Sequence, residues 1–131
     1  MDNLLHKDTW DGNYNDFYFE IVNWGGNKEN WNYYIYFTKK STPAEFWDKL
    51  KVIPNGKYTI DYKNSFLTDF HWHCGITFCE RMYDSQSEVV AFKAGCDYSH
   101  YGDEGTDYDL NYVLNDCRST IDSIKEVICT S

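Results

Sequence analysis

His71-Trp72-His73-Cys74-Gly75-Ile76-Thr77-Phe78 decides how this chain is read. With Phe70 before it, apolar Phe70, Trp72, Cys74, Ile76 and Phe78 alternate with His71, His73, Gly75 and Thr77. Such alternation predicts a strand with unlike faces. The apolar set should face a core, and His71 and His73 should share the other side. A second stretch, Phe92-Lys93-Ala94-Gly95-Cys96-Asp97-Tyr98-Ser99-His100-Tyr101-Gly102-Asp103, repeats the pattern. There Val90, Phe92, Ala94 and Cys96 form one face, and Asp97 leaves on the other. If both apolar sets meet one core, two imidazoles and the carboxylates of Asp97 and Asp103 come together.

Working outward, Phe17 to Val22, Tyr33 to Thr38 and Lys57 to Tyr62 also alternate as strands. Asp84-Ser85-Gln86-Ser87 suits a hairpin between the histidine strand and the next. Thr42-Pro43-Ala44-Glu45 has the spacing of a capping box with proline at the first helical position. A short helix over 42–50 follows, with Lys49 and Lys51 in its last turn. Leu110, Val113, Leu114, Cys117, Ile121, Ile124 and Ile128 recur at helical spacing over about five turns. Asp107 or Asp109 can cap that helix. The expectation is one α+β domain over 1–131. It comprises a twisted, mainly antiparallel sheet of about five strands, a long C-terminal helix and one short helix. The polar residues 1–16, with Asp11-Gly12-Asn13 read as a turn, are expected to form a loosely held arm.

Composition narrows the partners. Twelve Tyr, eight Phe and five Trp make 19% of the residues aromatic, which favours sheet and leaves rings for contact surfaces. The formal net charge of −9 argues against direct binding to a phosphate backbone and suits a basic partner. Lys39, Lys40, Lys49 and Lys51 form the one basic grouping. From Asp97 to Asp109 stand Asp97, Asp103, Glu104, Asp107 and Asp109, with no Lys or Arg. These five are the candidate partner-binding residues. Five cysteines without a CxxC, no apolar leader and no membrane-length run predict a cytoplasmic setting with thiols as small core residues.

For chemistry, His73, Asp97, His100 and Asp103 are the candidate catalytic residues, and the same four with His71 are candidate metal ligands. Imidazole with carboxylate suits a divalent metal with an open position for water, or a metal-free base and orienter. The spacing matches no established metal motif such as HExxH. The same residues equally suit a polar corner that holds loops by side-chain to backbone bonds, with no cofactor at all.

The region from Phe70 to Ile124, less than half the chain, resembles a family of small phage and prophage proteins. That family carries His-Gly-Gly-(Leu/Ile)-Thr in one strand and Gly-Phe-Asp-Cys-Ala-His-x-Gly-Asp at the end of another, then a helix with Tyr-Val and Glu-Cys. Here these read His73-Cys74-Gly75-Ile76-Thr77, then Gly95-Cys96-Asp97-Tyr98-Ser99-His100-Tyr101-Gly102-Asp103, then Tyr112-Val113 and Asp116-Cys117. Cys74 stands where glycine is usual and Tyr98 where cysteine is usual. The resemblance implies a phage-borne accessory protein in the cytoplasm of an infected or lysogenic bacterial host, and no established reaction. With the charge, it gives the expected function: binding a basic host component, such as a nucleic-acid-binding defence protein. The rivals are a metal-dependent hydrolase and a sponge that holds a signalling nucleotide unchanged.

Overall fold

The computed structural model describes residues 7–25, 30–53, 66–98 and 108–130, and only the backbone of 56–57 and of Thr130. Strands β1 (Lys7–Tyr14), β2 (Phe17–Trp24) and β3 (Trp31–Thr38) precede helix α1 (Ala44–Lys51). After it come β4 (Gly56–Lys57), a 3-10 turn at Phe66–Asp69, β5 (Phe78–Tyr83), β6 (Val89–Asp97) and α2 (Leu110–Thr130). The strands form one sheet in the order β1-β2-β3-β6-β5-β4, with antiparallel neighbours throughout. The fold is α+β, with five longer strands, a short helix and a long C-terminal helix.

Alternation sorts the sheet into two unlike faces. Phe17, Phe19, Ile21, Tyr33, Ile35, Phe37, Phe92, Ala94 and Cys96 are buried on the inner face. Helix α2 covers it with Val113, Cys117, Ile121, Ile124 and Ile128, the spacing expected from the sequence. Helix α1 packs on the same side through Phe46, Trp47 and Leu50, with Trp47 edge-on to Phe92. Removing each such side chain from water contributes about 1.5–3 kcal/mol, so this layer supplies most of the driving force. Both helices pack on the inner face.

Five expectations are corrected. Lys7–Tyr14 is a full edge strand, not a loose arm, paired with β2 from Lys7↔Trp24 to Tyr14↔Phe17. The turn lies not at Asp11-Gly12-Asn13 but at Asn15 (φ 50°) and Asp16 (φ 74°), the positive-φ pair that a two-residue hairpin requires. Residues 1–6 lie outside the described residues, as do 58–62 of the expected third strand.

The histidine stretch is not a strand until Phe78. Cys74 (φ 55°) and Gly75 (φ 94°) turn left-handed, which breaks a strand's alternation. Phe70, Trp72 and Ile76 are still buried, but Cys74 is exposed. In β6 the partner shifts between Met82↔Ala91 and Tyr83↔Val89, so Val90 is the extra residue of a bulge and is exposed, not part of the apolar face.

The capping box does not form either. Pro43 is the N-cap of α1 and makes no side-chain cap bond. Proline disfavours helical backbone in the residue before it, so Thr42 stays outside the helix, and it is buried instead. Lys49 and Lys51 do occupy the last turn.

Candidate functional site

The left-handed turn at Cys74 and Gly75 sets the position of His73. Its backbone N–H donates to the Tyr33 hydroxyl at 3.0 Å, and Tyr33 and Thr120 share a 2.7 Å hydrogen bond. Thr120 gives its single hydroxyl proton to a carbonyl, that of His71 at 2.6 Å or Asp116 at 3.0 Å, so Tyr33 is the donor toward Thr120. Ser123 Oγ accepts from the His71 N–H at 3.2 Å. This chain of hydroxyls, buried at Tyr33 and Thr120, clamps the turn between β3 and α2. Burial pushes the Tyr33 phenol well above its ordinary range, so it remains a neutral donor.

Above the clamp the His73 ring stacks on Tyr98, with centroids 3.8 Å apart and planes 15° apart. Tyr108 meets both rings edge-on. The Tyr98 hydroxyl donates to Asp116 Oδ2 at 2.5 Å, and His73 Nδ1 lies 3.6 Å from the same oxygen. Burial, then the Asp116 hydrogen bond, raises the Tyr98 pKa strongly, so the phenol keeps its proton. These side chains bridge the end of β6 to α2. Asp116 was not among the expected site residues. The signal for it was the helical register, which sets residue 116 beside Cys117 and Thr120 on the face that meets the sheet.

Asp97 belongs to the other side of the sheet. It pairs with Asn32, while Tyr33 pairs with Cys96, so its side chain projects to the outer face as Cys96 and Tyr98 project inward. Its Oδ2 accepts from Thr77 Oγ1 at 3.3 Å, and it is only 6% exposed. The expected projection of His73 and Asp97 to one side therefore does not occur, because the parity assumed for the histidine stretch ends at the turn. Burial also removes Asp97 from the docking carboxylates. Asp109 Oδ1 caps α2 by accepting from the Tyr112 N–H at 2.8 Å. His71 is exposed beside α2. His100, Asp103, Glu104 and Asp107 lie outside the described residues. Among the described residues no three His, Cys, Asp or Glu side chains converge as metal ligands. Burial drives the thiols of Cys79, Cys96 and Cys117 upward, Cys79 to about 12, which leaves them protonated and unreactive.

The open outer face carries a different constellation, which the sequence reading did not assemble. Cross-strand pairing sets Tyr18 against Tyr36, and Glu20 against Tyr34. It sets Tyr36 against Lys93, and Glu80 against Lys93. Tyr18 and Tyr36 lie 5.0 Å apart, and the Tyr18 hydroxyl donates to Asp11 at 2.5 Å. Lys93 Nζ sits 4.4 Å above the Tyr34 ring and 3.3 Å from Glu20. The Asp11 hydrogen bond raises the Tyr18 pKa to about 12, and burial raises Tyr34 and Tyr36 to about 12. All three phenols are thus neutral donors at any physiological pH. One end of this face opens into a cleft of about 460 Å³ lined by Tyr18, Tyr36, Thr38, Asp16 and Lys40.

No protein-family model matches the chain, and neither the curated proteins nor the solved structures yield a match. Among the described residues no helix is long and apolar enough to cross a membrane.

Proposed function

We propose that this protein acts by binding a basic partner protein across the outer face of its sheet, as an accessory protein of the phage type that its motifs resemble. The observation that carries the reading is the makeup of that face. Tyr18, Tyr34 and Tyr36 are flanked by Asp11, Glu20 and Glu80, with Lys93 among them and Lys40 at the cleft. Tyrosine with carboxylate receives Arg and Lys through ring face and ion pair together. Lys93 already makes both contacts within the chain, so the geometry accepts a cation. The chain's net charge of −9 adds long-range attraction to a basic surface, including one that otherwise holds nucleic acid. The cleft beside Tyr18 and Tyr36 is large enough for one long side chain of the partner, the kind of pocket in which binding energy concentrates.

The test is affinity capture from a bacterial host lysate at low and high salt, repeated with a Tyr18→Ala/Glu80→Lys double variant. The reading expects a basic protein held by the parent chain at low salt, released at high salt and lost with the double variant. A purified partner that binds both chains equally, or that ignores salt, overturns it.

A further inference from the structure

Of the basic grouping noted in the sequence, Lys40 lines the outer-face cleft, while Lys39, Lys49 and Lys51 gather around α1. Ala44, Trp47, Asp48 and Lys51 lie at i, i+3, i+4 and i+7, so they form one stripe of the helix. With Lys39 and Thr42 from the preceding turn, they line a groove of about 300 Å³, at the lower end of the size of small-ligand sites. Lys39 Nζ stands 5.9 Å from the centre of the Trp47 ring, and Lys51 Nζ lies 3.5 Å from Asp48. Two ammonium groups and one carboxylate leave the groove with a local positive balance in a strongly acidic chain.

Two further observations concern hydrogen bonds. The Trp47 side chain is 4% exposed, and its indole Nε1 is buried without a hydrogen-bond partner. A buried donor left unmade is an exception in folded proteins, and it calls for an acceptor. The first turn of α1 also begins at Pro43 with no side-chain cap. Two ammonium groups and a threonine hydroxyl line the groove, and the unpaired indole N–H belongs to a residue of its wall.

We propose that this groove is a binding site for a small anion, a phosphate or carboxylate group. Lys39 and Lys51 supply the charge and Thr42 a hydroxyl, and the buried Trp47 ring forms part of the wall. The site is separate from the outer face and does not depend on the function proposed there.

The experiment is a titration of ¹⁵N-labelled full-length protein with inorganic phosphate and, separately, with acetate. Sodium chloride at matched ionic strength is the control. The readout is the Trp47 indole N–H resonance, assigned by its loss in Trp47→Phe. The expected result is a saturable shift with phosphate or acetate, giving a Kd at or below about 1 mM. Affinity should fall about tenfold in Lys39→Ala and again in Lys51→Ala, as charged hydrogen bonds are removed. Both lysines are exposed, so neither variant threatens the fold. A Trp47 resonance unmoved by either anion, an equal response to chloride, or undiminished affinity in the Lys39→Ala/Lys51→Ala pair overturns the site.

Discussion

The imidazole of His73 lies parallel to the phenol of Tyr98 at 3.8 Å, and both side chains reach Asp116 Oδ2. This relation ties the turn after the 3-10 segment to the end of β6 and to α2. Tyr98→Phe keeps the ring and removes the hydrogen bond to Asp116. A bond to a charged acceptor is worth about 1.5–3 kcal/mol, and Asp116, with its side chain 32% exposed, can rehydrate in part. Urea unfolding should therefore show a loss of about 1.5 kcal/mol. His73→Ala removes the stacked ring as well as the Asp116 contact. The double variant should lose less than the sum of the singles, since the two residues share partners.

Gly95 faces Tyr34 across the ladder. A Cβ there would sit 2.4 Å from the Tyr33 carbonyl oxygen and 2.5 Å from Tyr34 Cδ1. The ring can swing away but the backbone oxygen cannot. Gly95→Ala should destabilise by about 2–3 kcal/mol, in the range of overpacking, read as a lower urea midpoint at unchanged slope.

Cys74 holds φ 55° without being glycine. The left-handed region costs a side-chain-bearing residue roughly 1–2 kcal/mol, offset in part by the extra freedom of glycine in the unfolded chain. Cys74→Gly should raise stability by about 0.5–1 kcal/mol in thermal or urea unfolding.

Alkaline pH should weaken the fold. Tyr18, Tyr34 and Tyr36 have folded pKa values raised to about 12 from 10, and Cys79 to about 12 from 9. Groups raised on folding bind protons more tightly in the native state. Their stabilisation is complete below the unfolded value and is lost as pH rises through the folded one. Stability should hold to about pH 9 and fall between roughly 9 and 12. Phenolate absorbance should show these tyrosines ionising late, or only on unfolding.

Thiol accessibility offers an independent check of the core. Cys74 and Cys129 are exposed, while Cys79, Cys96 and Cys117 are buried. A thiol reagent under native conditions should modify the first two quickly and the other three only in denaturant.

Much of the fold was legible in local pattern. The period of α2, the alternation in β2, β3 and β6, and the hairpin after Tyr83 follow from side-chain spacing alone. Where local pattern misled, a backbone turn was hidden by residues that do not advertise it. Cys74 is not a residue expected at positive φ, so the histidine stretch reads as unbroken strand. Asn15 and Asp16 form the first hairpin, although Asp11-Gly12-Asn13 is the stronger turn signal. The candidate site was less legible, because it depended on parity across that hidden turn.

The chain's own order of residues determined its class: an aromatic, acidic α+β protein whose apolar periods build one covered sheet face. Those properties are local or additive, and no neighbour in space is needed to read them. Tertiary structure alone decided which side each polar residue serves. It sent Asp97 outward and His73 toward α2, and it joined His73 to Asp116, 43 positions along. It also laid Tyr18, Tyr34 and Tyr36 with Glu20 and Glu80 on one open surface. Cross-strand register brings distant segments within a few ångströms, and a single left-handed residue is enough to break the alternation on which a local reading relies.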